Sequence, residues 1–380
     1  MRILFATTVP ATLRAFLLPL ADACRARGWS VEALAAGAAT DARLRGHFDR
    51  LLDVPWSRRP TSWGNVRAVA ECGRVLRDGG YDLVHVHTPV AAFVTRLAAM
   101  RTGFRGKVVY TAHGFHFVEG GSPAANLLYL SLEKLVAART DLLIVINRED
   151  REAAIRHRLV PADRLVLVDG VGVDTDRFSR ARISEGARVA LRERLQLGEG
   201  PVVTMVAEFI PRKRHADLLR AAPLVLSEHP SATFVLAGAG PLLESTRGLA
   251  GELGLDERVR FLGQWDEMPL LLAVTDIVVL PSLREGLPVS LMEAMSMEVP
   301  FVGTDVRGIR ELAAHGSGLL VPPRSPDHLA EAILRLLRDR GLALALGRAG
   351  RRCVLRRYGD RRIISRQIQI YEGMLSRSYE

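Results

Sequence analysis

The sequence predicts an α/β protein of two similar domains, each a parallel sheet covered by helices. Three observations carry this. Short apolar runs alternate with longer amphipathic stretches along the chain. Several runs are unbroken Val, Ile and Leu without polar alternation, as in strands buried on both faces. A polar, arginine-rich stretch at about 174–200 interrupts the rhythm, which then restarts. A chain of 380 residues, 48% hydrophobic and 25% charged, is long enough for two full cores.

The first element is a strand over 2–7. Its apolar run is short and broken by Pro10 and Arg14, which fits a buried strand better than a signal peptide. Further strands are expected over 30–35, 83–87, 107–111, 142–146 and 165–168. The joint falls near 174–178, after Gly170 and Gly172, giving a first domain over 1–173. Strands over 202–206, 233–237, 259–262, 277–280 and 300–303 build the second, over 174–361. The tail, about 362–380, reads as an amphipathic helix. Its Ile363, Ile364, Ile368, Ile370 and Tyr371 are spaced to dock on an apolar surface.

The chain carries 52 basic and 42 acidic residues, a net +10, and its bases are nearly all arginine. Genomic arginine bias with a solvated surface is one explanation, and an anionic membrane or acceptor is another. Nucleic acid is not expected, because no basic block is interleaved with aromatics. Cys24, Cys72 and Cys353 are scattered and odd in number, so neither disulfides nor zinc is indicated and a reduced, cytoplasmic setting is expected. No apolar stretch reaches the roughly 18 residues of a membrane span, so membrane contact is expected to be peripheral, at the inner face. Arg14, Arg25, Arg27, Arg43, Arg45, Arg58 and Arg59 surround a stretch holding Phe16, Leu17, Leu18 and Leu20. If that helix turns its leucines outward, it enters an anionic membrane surface. If they face the core, the arginines are ordinary solvated charge.

The strongest local signal runs from Leu280 to Leu312. A buried strand enters a turn with Glu285 and Gly286, and Pro288 opens a helix. Proline suits a first helical turn, and the free N–H groups there attract phosphate. Gly286 lets a ligand approach the backbone. Glu285 and Glu293 would reach points on the order of 10 Å apart on one elongated ligand. Carboxylates accept hydrogen bonds from vicinal hydroxyls, which suits a hexose at one end and a ribose at the other. His85 and His87 are expected on opposite faces of their strand, and Asp174 and Asp176 in a polar turn, so no metal site is expected.

This segment resembles the E-x7-E signature of retaining glycosyltransferase family 4, in its capsular, exopolysaccharide and lipid-linked glycan branch. YDLVHVHTP, VVYTAHGFHF, MVAEFIPRKRHADLLRAA, FVLAGAGPLLE and VRFLGQ resemble its other conserved stretches, in order. The resemblance implies the GT-B fold: two facing Rossmann-like domains, acceptor on the first, donor on the second, and a last helix crossing back to the first. It implies a retaining, metal-independent transfer of a hexose or N-acetylhexosamine from a nucleotide diphosphate sugar, UDP preferred. The implied acceptor is a glycan or polyprenyl-diphosphate-linked saccharide of surface polysaccharide synthesis.

By position, Glu285 matches the carboxylate near the donor sugar and Glu293 the one that binds ribose. Lys213 matches the diphosphate-binding lysine, with Arg212 a second cation. His113 matches a histidine that contacts the donor sugar. Gly240 and Gly263 lie in turns that face the nucleotide, and Gly286, Leu287, Pro288 and Val289 line the donor. Two positions depart from the pattern. Glu208 stands where many members carry arginine, which shifts diphosphate binding onto Arg212 and Lys213. TTVPAT at 7–12 replaces a Gly-Gly pair, which sets the acceptor side apart. The alternatives are a nucleotide-sugar epimerase or hydrolase on the same fold, a transferase with a soluble small-molecule acceptor, and a non-catalytic binding module.

Overall fold

The structure is a computed structural model that describes residues 1–57, 62–117 and 122–376. Arg58 and Arg59 therefore lie outside the described residues. The chain divides into two units. One holds Met1–Gly172 together with the segment from Asp360 onward, and the other is Val173–Gly359.

In the first unit the strands are β1 (Arg2–Ala6), β2 (Ser30–Leu34), β3 (Arg50–Leu52), β4 (Leu83–His87), β5 (Lys107–Ala112), β6 (Leu142–Val145) and β7 (Leu165–Leu167). They form one parallel sheet in the order β3-β2-β1-β4-β5-β6-β7. Alternate residues serve opposite faces. Leu4 and Ala6 join one core cluster with Val84, Val86 and Val108, while Ile3 and Phe5 join another with Leu83, Val109 and Ile144. Apolar runs without alternation follow from this double burial.

The second unit repeats the arrangement with β8 (Val202–Val206), β9 (Thr233–Ala237), β10 (Val259–Gly263), β11 (Ile277–Leu280), β12 (Phe301–Thr304) and β13 (Gly318–Val321). Its order is β10-β9-β8-β11-β12-β13, again all parallel. Both orders are the doubly wound kind. Each reverses direction beside its first strand, between β1 and β4 and between β8 and β11. Ligands of such sheets bind outside the carboxyl ends of the strands at that reversal.

Two strands, β3 and β13, go beyond the sequence reading. Each is an edge strand, three or four residues long and partly exposed; β3 opens on the exposed Arg50, whereas β13 is a short apolar run, Gly-Leu-Leu-Val, that the sequence reading passed over.

The last helix, Asp360–Ser376, packs on helix Leu18–Arg25 of the first unit. Its Ile363, Ile368, Ile370 and Tyr371 are buried in the core cluster of β1 and β4. Of the two directions left open for the N-terminal leucines, the inward one is found. Leu13, Leu17 and Leu20 are buried in that same cluster, and Phe16 and Leu18 pack against it. Three of the arginines are held by protein groups. Arg14 pairs with Asp41, Arg25 Nε bonds Asp49 at 3.1 Å, and Arg27 lies 3.8 Å from Glu372. Among the described residues no helix is long and apolar enough to cross a membrane.

Candidate active site

In the second unit the chemistry gathers at the carboxyl ends of β8 and β11, the neighbours at the reversal. β8 runs into a loop that carries Phe209 and then the short turn Pro211–Lys213. Arg214 follows at φ +59°, an unusual left-handed residue that starts helix His215–Glu228. β11 runs into the loop 281–288, and Pro288 caps helix Val289–Ser296.

Here the two predicted charges meet. Lys213 Nζ lies 2.5 Å from Glu285 Oε1, and Arg212 Nη1 lies 3.7 Å from Glu285 Oε2. Glu285 and Lys213 are nearly buried, with side-chain exposures of 8% and 12%, whereas Arg212 is 42% exposed. The loop is also tied by its backbone. Leu283 N–H donates to Arg212 O at 2.8 Å, and Arg212 donates to Arg284 O at 3.2 Å. A buried ion pair is costly unless its geometry is good and neighbours satisfy it. This one holds a cation and a carboxylate side by side at the carboxyl ends of β8 and β11.

Three residues that the sequence reading missed hold this loop from the β12 side. Thr304 Oγ1 donates to Ser282 O, and Arg307 Nε donates to Glu285 O at 3.3 Å. A Cβ on Gly308 would lie 1.9 Å from Gly286 O, so the start of helix Arg307–Ala313 presses on the loop through a bare glycine.

Gly240 sits at a close backbone approach. Its φ is +154°, and a Cβ there would lie 2.6 Å from Phe209 O. Phe209 N–H donates to Ala239 O and Leu242 N–H to Phe209 O, lacing the β8 and β9 loops together. Gly263, at φ +65°, accepts from Gly238 N–H at 2.7 Å and has open space beside it. Phe209 also stacks on His215, with ring centroids 4.0 Å apart. Leu287 and Pro288 are buried, while Gly286 and Val289 are partly exposed. Glu208 is exposed at the mouth of the β8 loop.

Glu293 is partly buried on helix Val289–Ser296, and desolvation raises its carboxyl from 4.5 to about 7, against the pull of Arg177. The unfolded chain therefore ionises this group between pH 4.5 and about 7 while the folded chain keeps it protonated. Its contribution to stability is fully present below 4.5 and is lost as pH rises through about 7. Glu293→Gln is expected to flatten the pH dependence of urea unfolding across that window. The variant should be more stable than the native chain at about pH 8. Parallel pH profiles for the two proteins would contradict this.

Asp174 closes its own turn, accepting from the backbone N–H of Asp176 at 3.0 Å and of Arg177 at 2.8 Å. Among the described residues no group of three His, Cys, Asp or Glu side chains is placed to hold a metal ion. A cavity of about 700 Å³ lined by Arg188, Asp276 and Arg340 opens at the amino ends of β8 and β11, away from these groups. The fold's own logic puts ligands at the opposite ends, and the paired charges are there.

In the first unit His85, His87 and His113 cluster at the carboxyl ends of β4 and β5. The expectation that His85 and His87 diverge is wrong, since residues two apart on a strand share a face. Their ring centroids lie 4.0 Å apart. His113, just past β5, is partly exposed and stacks on Phe16, with centroids 5.6 Å apart. His116 packs on Tyr129 instead.

Residues 188–353 match the family of glycosyl transferases group 1, and residues 12–169 match the glycosyl transferase 4-like domain. The chain belongs to this glycosyltransferase family. It is 34% identical to the putative glycosyltransferase EpsD of Bacillus subtilis, covering 98% of this chain and 97% of that one. It is 29% identical to an Escherichia coli UDP-Gal:alpha-D-GlcNAc-diphosphoundecaprenol alpha-1,3-galactosyltransferase, over 73% of this chain and 72% of the relative. It is 37% identical to a GDP-mannose-dependent alpha-(1-6)-phosphatidylinositol monomannoside mannosyltransferase of Mycobacterium tuberculosis, over 70% and 69%. Among solved structures, Anabaena HepE in complex with UDP and glucose matches with a TM-score of 0.82 at 23% identity, covering 99% of this chain and 100% of that one. The fold is GT-B.

Proposed function

We propose that this glycosyltransferase moves a hexose or N-acetylhexosamine from a UDP-sugar to a lipid-linked saccharide, with retention and without a metal. The observation that carries the reading is the Lys213–Glu285 pair at the β8–β11 reversal. Lys213, backed by Arg212, neutralises the diphosphate as the glycosidic bond breaks. Glu285 accepts hydrogen bonds from the sugar's hydroxyls, Glu293 from the ribose, and the backbone at Gly286–Val289 meets the phosphates. Backbone groups near Gly240 and Gly263 read the base, and His113 bonds a sugar oxygen. The second unit is thus the donor side and the first the acceptor side.

A lipid-linked acceptor is supported by the undecaprenol and phosphatidylinositol acceptors in the names of two relatives. The first unit also has an apolar groove of about 350 Å³ lined by Trp63, Val66, Phe93, Leu97 and Tyr129. The names of two relatives carry UDP-Gal and GDP-mannose, so the donor screen covers both bases. The test is a donor screen in excess EDTA, with GlcNAc-diphosphoundecaprenol as acceptor. Transfer from a UDP-sugar with the anomeric configuration kept is the expected result. GDP-mannose as the sole productive donor would overturn the base, and activity restored only by magnesium or manganese would overturn metal independence. A new nucleotide-sugar formed rapidly without acceptor would favour an epimerase.

A further inference from the structure

The histidine cluster has an internal order. β4 and β5 are parallel neighbours with His85 opposite Val109 and His87 opposite Thr111, which brings His113 to the end of β4. His85 is fully engaged: its Nδ1 meets Tyr371 Oη at 2.5 Å and its Nε2 meets Thr111 Oγ1 at 2.7 Å. It has no ring nitrogen left for its neighbour. His87 is buried, and its Nδ1 lies 3.0 Å from His113 Nε2. Its own Nε2 is buried with no partner among the described residues. His113 Nδ1 makes no hydrogen bond among the described residues, and this ring is the partly exposed member of the three.

Burial holds these rings neutral, lowering His113 to about 4, His85 to about 3, and His87 well below the usual histidine range. A single proton therefore lies between His87 Nδ1 and His113 Nε2, and two assignments satisfy the 3.0 Å contact. If His113 supplies it, the proton of His87 sits on Nε2 and becomes a buried, orphaned N–H. If His87 supplies it, the unpartnered Nε2 is only a lone pair. Orphaned buried N–H groups are the rarer and costlier defect.

We propose that His87 is a positioning residue that donates from Nδ1 to His113 Nε2 and thereby fixes His113 as an Nδ1–H donor to a sugar oxygen. His113 then serves as a hydrogen-bond donor, and its ring offers no lone pair to act as a base. The packed ring of His85, tied to the last helix through Tyr371, keeps His87 upright. The inference rests on His113 meeting the sugar, as proposed above.

The experiment separates the two ideas. Long-range proton–nitrogen NMR correlations of histidine-labelled protein, assigned with His113→Gln, report which nitrogen of His113 carries the proton. The expected result is Nδ1–H in the native chain, a shift to Nε2–H in His87→Leu, and Nδ1–H again in His87→Asn, whose amide can donate from nearly the same place. Release of nucleoside diphosphate from the donor found in the screen should fall roughly five- to tenfold in kcat for His87→Leu, with donor KM unchanged and recovery in His87→Asn. Nε2–H on His113 in the native chain would overturn the proposal. So would an unchanged tautomer in a folded His87→Leu protein. Full activity in His113→Ala would instead remove the sugar contact and leave the tautomer assignment standing.

Discussion

Lys213→Ala is expected to weaken UDP binding roughly ten- to hundredfold while leaving uridine binding unchanged, because a charge-assisted hydrogen bond contributes about 1.5–3 kcal/mol. Titration calorimetry with the two ligands makes the comparison. The ion pair adds a second signature. Removing the lysine leaves the nearly buried Glu285 carboxylate facing Arg212, at 3.7 Å and partly in water. Stripping the partner from a buried charge costs about 3–5 kcal/mol, and Arg212 should recover part of that. The variant therefore melts at a lower temperature. Lys213→Ala combined with Glu285→Gln should regain most of the stability and none of the UDP affinity. Equal losses for UDP and uridine would take Lys213 off the diphosphate, whatever happened to stability.

The largest expected effect on stability comes from ending the chain at Gly359. Ile363, Ile368, Ile370 and Tyr371 are all buried against the first unit, and Tyr371 also holds His85. Burial of such side chains contributes about 1.5–3 kcal/mol each, so the four together contribute roughly 6–12 kcal/mol. A whole domain has a net stability of only about 5–15 kcal/mol. The shortened chain should lose the unfolding transition of its first unit in calorimetry and keep that of Val173–Gly359, with UDP binding intact. Survival of both transitions would show that the last helix is a surface attachment.

Central strands were legible because burial on both faces demands continuous apolar residues. β4, β8, β9 and β11 lie where the sequence rhythm puts them. Edge strand β3, only three residues long and opening on Arg50, escapes that demand, and β13 is apolar but only four residues long and partly exposed. Glu285, Gly286 and Pro288 were legible together because a strand, a turn and a helix start occur in one unbroken segment. Arg307 and Gly308 were not, since their contact with that loop depends on β12 lying beside β11. The left-handed turn at Arg214 has no mark in residue type. The His87–His113 contact depends on strand pairing as well, and the two-residue spacing of His85 and His87 was a signal that the sequence reading took the wrong way round. The direction of the N-terminal leucines was open in the sequence, because an amphipathic stretch shows a face without saying what covers it.

The first unit is discontinuous: its sheet is complete by Leu167, yet the helix Asp360–Ser376 that closes one face of it comes only after the whole of the second unit. During synthesis Val173–Gly359 is one uninterrupted stretch and can finish folding on the ribosome while the earlier half waits. Until Asp360–Ser376 has cleared the exit tunnel, the groove for Ile363, Ile368 and Tyr371 stands open and apolar, with His85 short of its tyrosine. The half that is made first is therefore the half that matures last. Nascent chains stalled before Asp360 should be protease-resistant in their second unit alone, and the first unit should depend on chaperones for the interval.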